Sequence, residues 1–170
     1  FDASELALLK YSIENASQFQ NELRKIQGVE NVSGRIQFGG LLAKGDETAV
    51  VVFCKAVNIQ NEVKVCPRIE ENIVEGRFLA ESDTNGAVIA DGLRKGIGAV
   101  IGDSVILVAN TKDDFQNAVE VTIVGVIKEK AAQANTRLVY LSMEKAQELL
   151  YMGDEVTEIV LNTSENIDLD

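Results

Sequence analysis

The chain has 170 residues, of which 46% are hydrophobic and 25% are charged, a composition typical of a globular fold with one large domain or two small lobes. Its net charge of −11 argues against nucleic acid as a partner, because no basic surface is left to bind a phosphate backbone. Histidine is absent, which excludes imidazole bases, Ser-His-Asp and Cys-His catalysis, and histidine-ligated zinc.

The first predicted element is an amphipathic helix of about three turns that faces the core. Its apolar residues recur at helical spacing: Ala16, Phe19, Leu23 and Ile26. We expect Asn15 to be the N-cap, in a capping box with Gln18, and Gly28 to follow the helix as a C′ glycine.

A β-hairpin is predicted next. Residues 29–42 have an extended pattern, residues 44–47 form a turn, and the β-branched run TAVVVFCKAV at 48–57 predicts the second strand. Residues 58–68 are polar and are predicted to be irregular.

The middle of the chain is predicted to be rich in strands. The apolar run GAVIA at 86–90 suits a buried strand, and residues 103–110 and 119–127 predict two more. The polar sequence TKDDFQN at 111–117 predicts the hairpin loop between them.

A second helix-strand unit is predicted near the end. Residues 128–137 resemble a loop and residues 138–141 a short strand. Ser142 is expected to cap a helix that runs to Leu150 and is closed by Gly153, and residues 156–161 return as a strand.

Three glycines have the spacing G-x-G-x-x-x-G: Gly96, Gly98 and Gly102. A dinucleotide loop follows a strand and opens a helix, whereas these glycines follow a helical turn and precede a strand, and the Lys-Ser/Thr pair of a P-loop is missing. We therefore expect them to provide positive φ angles at a helix-to-strand corner, with Asp103 as a turn residue.

The order of elements predicts an α+β fold with two lobes. Helix-strand units near both chain ends are expected to form one α/β lobe, from residues 1–66 and 138–170. Residues 67–137 are expected to form an inserted, mainly β lobe.

No catalytic, cofactor-binding or metal-binding residue is predicted. The clustered carboxylates lie in polar loops, where solvent keeps them ionised: Glu70, Glu71, Glu75, Asp113 and Asp114. No serine lies in a G-x-S-x-G elbow, and no D-x-D-x-D-G cation loop is present. We therefore do not expect the chain to be an enzyme.

Apolar residues near predicted turns are candidates for contact with a partner: Phe38, Leu41 and Leu42, which flank Gly39-Gly40 near the first hairpin, and Phe115, at the tip of the second. Such residues anchor protein interfaces, and the alternative is that they pack into their own lobe.

Cys54 and Cys66 are the only cysteines in the sequence, and their spacing fits no zinc pattern. They form a disulfide if the compartment is oxidising, and the alternative is that both remain free thiols.

No apolar run approaches the roughly 20 residues that span a bilayer, and no signal-peptide pattern is present. The abrupt start at Phe1 and the end in an acidic tail predict a piece of a longer protein.

Six segments resemble, in order, the extracytoplasmic core domain of MacB/LolCE/FtsX-type ABC transporter permeases. They are IQGVENVSGRI (26–36), VVVFCKAVN (50–58), EGRFL (75–79), GAVIADGLRKGIGAVIGDSVIL (86–107), VEVTIVGVIKE (119–129) and LVYLSMEKAQELL (138–150). Each motif is weak alone, but the ordered set covers nearly the whole chain.

The resemblance implies a porter-like α/β lobe with an inserted sabre-like lobe, at the periplasmic face of a membrane as part of an integral membrane protein. It implies no catalytic site and no cofactor. Its expected partners are a separate ATP-binding subunit or domain, a second permease copy, and a periplasmic partner or cargo protein. Export or release of a lipoprotein, peptide or drug would follow from ATP-driven motion.

Two alternatives stay open at this point. One is a free-standing secreted or periplasmic binding module of the same fold, without membrane spans. The other is an enzyme of a β-barrel family that shares the Gly-Asp-x-Val turn at 102–105, in which replacement of Asp103 would abolish turnover.

Overall fold

The computed structural model describes residues 9–47 and 49–164. The helices within these residues are α1 (Ala16–Leu23), α2 (Ile59–Val65), α3 (Asp91–Gly96), α4 (Ala132–Arg137) and α5 (Met143–Leu150), with a 3-10 helix at Ile69–Asn72. The strands are β1 (Ile13–Glu14), β2 (Val29–Ala43), β3 (Val50–Val57), β4 (Ile73–Gly76), β5 (Gly86–Ala90), β6 (Ser104–Asn110), β7 (Gln116–Ile127), β8 (Leu138–Ser142), β9 (Glu155–Val156) and β10 (Glu158–Thr163). The predicted α+β class is confirmed.

Six of the strands close into a ring. The sheet runs in the order β10-β2-β3-β8-β5-β7-β4, and β6 joins the far end of β2 to β7, so that β2, β3, β8, β5, β7 and β6 form a closed circuit of pairs. The β3–β8 and β5–β7 pairs are parallel, while the other pairs in the ring are antiparallel. Closure gives every strand of the ring two neighbours, while β10 and β4 stay outside the ring as edge strands with one neighbour each.

The predicted lobe boundaries do not interrupt this ring. Strands β5 and β6, from the segment 67–137, hydrogen-bond to β8 and β2, which come from the flanking segments. The division into two lobes stays a prediction.

Side chains from the strands fill the interior of the ring. Phe38, Cys54, Val139 and Ile89 are register partners across four neighbouring strands, and each is at most 1% exposed. Because side chains alternate along a strand, Lys55 and Tyr140 lie on the outer face, where α2 packs against β2.

Helix α1 is predicted correctly in position but not in its cap or packing. Asn15 has φ 52° and makes no capping bond; Asp154 instead accepts from the Ser17 amide at 3.0 Å. The capping box with Gln18 is therefore wrong. The expectation of a core-facing helix is also wrong for Phe19 and Ile26, which are 48% and 54% exposed.

Two helices lie where irregular chain was predicted. Helix α2 begins after Asn58, whose side chain accepts from the Asn61 amide, and Ile59 and Val63 pack against the core one turn apart. Helix α4 covers the end of the predicted loop at 128–137. Helix α5 has the predicted Ser142 cap, but it is Tyr151, with φ 53°, and not Gly153 that ends it.

The glycine-rich segment 96–102 forms the predicted helix-to-strand corner. Gly98 and Gly102 have φ angles of 58° and 92°, and Asp103 accepts from the Val100 amide at 2.9 Å, as a turn residue does. Gly96 lies inside α3 and has no positive φ.

Within residues 9–47 and 49–164, no helix is long and apolar enough to cross a membrane.

Candidate functional site

The structure separates the four residues that were predicted to contact a partner. Phe38 and Leu42 are at most 1% exposed and belong to the core, because they lie on the inward-facing side of β2. Neither can reach a partner from that position, so the prediction is wrong for these two residues. Leu41 is half-buried on the outer face of β2, paired with Val51 and Val108.

Phe115 is the most exposed of the four predicted contact residues. It is 69% exposed at the tip of the β6–β7 hairpin. Tyr11 and Tyr151, which the sequence analysis did not single out, are 81% and 69% exposed. We call these three residues the aromatic end, because the segments that carry them contact one another.

Hydrogen bonds and an ion pair hold those segments together. The Lys112 amide donates to the Leu150 carbonyl at 3.2 Å, which fixes the hairpin tip beside Tyr151. Lys10 Nζ lies 3.5 Å from Asp114 Oδ2, which brings the N-terminal segment to the same tip. Sequence reasoning missed this grouping because its members are brought together only by tertiary contacts.

Local backbone geometry presents two of the rings to solvent. Asp114, just before Phe115, has φ 63°, and Tyr151 has φ 53°, in a region that non-glycine residues seldom occupy. Thr111 closes the hairpin tip, since its amide donates to the Phe115 carbonyl at 2.6 Å and its hydroxyl accepts from the Phe115 amide at 3.1 Å. These hydrogen bonds fix the backbone of the hairpin tip, so Phe115 is held in an exposed position.

A charged cluster lies at the base of the aromatic end. Lys112 Nζ is 2.5 Å from Glu155 Oε2, and the Ser12 hydroxyl donates to the same carboxylate. The hydrogen bond from Lys112, followed by that from Ser12, lowers the pKa of Glu155 below its ordinary value. The bond to Glu155 likewise raises the pKa of Lys112.

This cluster predicts a specific pH dependence for the Glu155→Gln variant. Because the folded pKa of Glu155 is lowered, its contribution to stability is present above the unfolded value of about 4.3 and is lost as pH falls through the folded value. The contribution of Lys112 is lost only as pH rises above about 10.4. We expect Glu155→Gln to be less stable than wild type at neutral pH, and the gap to shrink in acid.

Urea unfolding of both proteins between about pH 7 and pH 3.5 measures that gap. Glu30→Gln is the matched control, because Glu30 is exposed and has no ion-pair partner within the described parts of the chain. A gap between wild type and Glu155→Gln that stays constant over this range would contradict the role of the Lys112–Glu155 pair.

The two cysteines are free thiols on opposite faces of the sheet. Cys54 points into the ring, and burial raises the pKa of its thiol. Cys66 follows α2 on the outer face, where its sulfur accepts from Arg35 Nη2 at 3.2 Å. Of the two alternatives, the structure has the free thiols, because the two side chains lie on opposite faces of the sheet.

A buried ion pair lies beside Cys66. Arg35 on β2 donates from Nη2 and Nε to both carboxylate oxygens of Glu62 on α2, at 2.7 and 3.0 Å, and Glu62 is 1% exposed. Glu158 on β10 accepts from Arg35 Nη1 at 3.2 Å. Burial opposes the charge of Arg35, but the bonds and the charge of Glu62 outweigh it and raise the pKa of the guanidinium. The pair joins α2, β2 and β10.

Among the residues that the structure describes, no three histidine, cysteine or carboxylate side chains are grouped as metal ligands would be.

Comparison with protein families decides the assignment. The model of the MacB-like periplasmic core domain matches residues 8–170, which is nearly the whole chain. The chain belongs to the MacB-like periplasmic core domain family.

Solved structures share the fold of this MacB-like periplasmic core domain. The periplasmic region of MacB from Actinobacillus actinomycetemcomitans is 17% identical, with a TM-score of 0.67 over 92% of this chain and 69% of that one. The extracellular domain of the noncanonic ABC-type transporter YknZ from Gram-positive bacteria is 14% identical, with a TM-score of 0.66 over 96% of this chain and 80% of that one. No curated protein matches the chain.

The assignment makes the chain the periplasmic domain of a MacB-like ABC transporter permease. A MacB-like periplasmic core domain is part of a transporter, and an ATP-hydrolysing partner is implied for the family in general. The aromatic end and the Arg35–Glu62 pair are features of this chain, and the comparisons assign neither of them a role.

Proposed function

We propose that this periplasmic domain couples ATP-driven motion of its permease to the export or release of a substrate such as a lipoprotein, a peptide or a drug, without chemistry of its own. The observation that carries the proposal is the family match over residues 8–170. The energy would come from a separate ATP-binding subunit or domain. The domain would act at the extracytoplasmic face as part of an integral membrane protein, beside a second permease copy.

The connections near both ends of the described chain suit a mechanical role. Strand β1 pairs with β9, and β10 pairs with β2 inside the main sheet. The Arg35–Glu158 ion pair adds a side-chain link between β2 and β10. We therefore expect that a movement of either end of the chain would carry the strand ring with it. Such rigid-body movement is what coupling to a permease needs.

We further propose that the aromatic end contacts a protein partner of the transporter, with Phe115 as its central residue. Exposed aromatic residues are enriched among interface residues that contribute most to binding, because they bury a large area with little loss of side-chain entropy. Here Phe115 and Tyr151 are held outward by ordered backbone, so little further ordering is needed on binding.

Photo-crosslinking tests both proposals in the complete permease with its ATP-binding subunit, reconstituted in nanodiscs. With benzoylphenylalanine in place of Phe115, we expect a cross-link to a second permease copy or to an added periplasmic partner. The cross-link yield should differ by at least about threefold between ADP and ATP with vanadate. A change of under 1 kcal/mol in the free energy of the contact is enough to produce that ratio. Val74, which is 53% exposed on β4, is the control position.

The outcomes separate the two proposals. Equal yields with both nucleotides would contradict coupled motion. A cross-link from position 74 but none from position 115 would contradict contact at the aromatic end. A complete gene that encoded a signal peptide and no transmembrane helices would contradict the proposed permease function. It would favour the free-standing binding module instead.

A further inference from the structure

A polar cleft of about 250 Å³ lies between α1, α2 and α5. Its floor is formed by Gly34 of β2 and Val156 of β9, which are both buried. Half-buried side chains of the three helices form its walls, and exposed side chains such as Asn21 and Arg24 form its rim. The volume is just below the range of about 300–1,000 Å³ that is usual for drug-sized ligands, which suits a short length of chain.

Helical spacing brings the wall residues to the same space. Each helix contributes a pair three or four positions apart, which therefore lies on one helix face: Ser17 and Gln20 on α1, Asn58 and Asn61 at the start of α2, and Met143 and Gln147 on α5. Gly34 lets the Gln20 amide lie directly on the floor, since a Cβ at position 34 would be 2.8 Å from both Gln20 Nε2 and Val156 Cγ1.

The amide side chains of these walls have hydrogen-bonding groups to spare. Among the described residues, the side chains of Gln20 and Asn61 have no hydrogen-bond partner. Asn58 Oδ1 accepts from the Asn61 main-chain amide, and Gln147 Nε2 donates to the Gly153 carbonyl, which leaves Asn58 Nδ2 and Gln147 Oε1 unused. The walls therefore offer donors and acceptors together, without charge.

The charged residues of the lining, in contrast, are already bound. Arg24 donates to the Asn21 side chain at 2.9 Å and to a main-chain carbonyl at 3.0 Å. Asp154 accepts from the amide and the hydroxyl of Ser17, and Glu155 is held by the ion pair described above. The groups that remain for a ligand are therefore neutral amides, and they favour a neutral ligand that carries both donors and acceptors.

We propose that this cleft binds a short, extended segment of another polypeptide through its main chain. Each peptide unit carries one N–H and one C=O, which a side-chain amide can pair with through its own acceptor and donor. Met143 and Val156 add a small apolar contact, and the flexible thioether adapts to side chains of different shape. The cleft thus recognises main chain and has little preference for sequence.

The described lining contains no aromatic ring on which the apolar face of a sugar could stack, so a glycan fits less well than a peptide. The inference concerns a site on the domain itself and does not depend on coupling to ATP hydrolysis.

Titration of the 170-residue chain with a capped, uncharged peptide of alternating alanine and serine, followed by amide chemical shifts in NMR, tests this proposal. We expect saturable shifts around residues 20, 34, 61, 147 and 156, with a Kd of about 1 mM or tighter. The same peptide with N-methylated internal amides should bind at least about fivefold more weakly, because methylation removes its main-chain donors.

Three results of this titration would overturn the proposal, and none of them needs a variant. They are equal binding of the N-methylated peptide, binding of maltotriose as tight as that of the peptide, and shifts that do not saturate or that centre outside the cleft.

Amide removal provides the second arm. Gln20→Leu with Asn61→Leu keeps side chains of similar size but removes both free amides, and should weaken peptide binding by about fivefold or more. Gln18→Leu is the matched control, because Gln18 is exposed on the same helix and lies outside the cleft. Unchanged binding in the double variant, or an equal loss in Gln18→Leu, would contradict recognition by these amides.

Discussion

Arg35→Met should lower the free energy of unfolding by about 3–5 kcal/mol, because it leaves a buried carboxylate without its counterion. Glu62 is 1% exposed and receives two hydrogen bonds from Arg35. The Ser33 hydroxyl also donates to Glu62, but at 3.4 Å and without charge, so it cannot replace a guanidinium. Urea unfolding followed by circular dichroism measures the loss.

The double variant Arg35→Met with Glu62→Met is the matched control. It removes both charges and puts apolar side chains of similar length in their place, so it should be destabilised by much less than the sum of the two single variants. Single-variant losses that simply add in the double variant would show that the two side chains act independently, contrary to the bidentate pair.

Gly125→Ala should be destabilised by about 3 kcal/mol or more, because β7 and the chain after β4 approach too closely for a side chain. A Cβ at position 125 would lie 1.8 Å from the Arg77 carbonyl oxygen and 2.9 Å from its carbon, so backbone would have to move. Gly76 pairs with Gly125 across these strands, and the register shifts close by, between Ile73 and Glu75. Thermal unfolding should show a clearly lower midpoint.

Gly96→Ala is the control for that substitution. Position 96 is helical, and a Cβ there would meet nothing within 4 Å. Alanine should therefore be neutral or stabilise the protein by about 0.5–1 kcal/mol, through helix propensity and a less flexible unfolded chain. A midpoint for Gly125→Ala equal to that of wild type would contradict the close approach at Arg77.

The parts of the fold that are predictable from sequence depend on local chemistry. Apolar and β-branched runs predicted β3, β5 and the β6–β7 hairpin with bounds within three residues of those observed, and the Ser142 cap marked the start of α5. Local sequence patterns gave the wrong prediction where a residue distant in sequence makes the contact. Asp154 replaces the Asn15 cap, because the turn before β9 packs against the start of α1 and supplies a better acceptor.

Burial and grouping were harder to predict than element type. Phe38 and Leu42 flank two glycines and resemble loop residues, but β2 continues through them into the ring. Glu62 lies in the segment 58–68, which was predicted to be polar and irregular, although Asn58, Ile59 and Val63 have the cap and the one-turn spacing of a short helix. Its partner Arg35 lies 27 positions away, and no local pattern connects the two.

The ring of strands also determines when the domain can complete its fold during synthesis. Strand β8 inserts between β3 and β5, and Glu158 of β10 meets Arg35 of β2 across 123 positions. Until those late segments have left the ribosome, β2 and β3 each have an open edge, which is the surface through which incomplete β proteins aggregate. Pairings this distant in sequence are also slow to form. A nascent chain that stops before β8 therefore has no closed ring, because β8 is the strand that links β3 to β5.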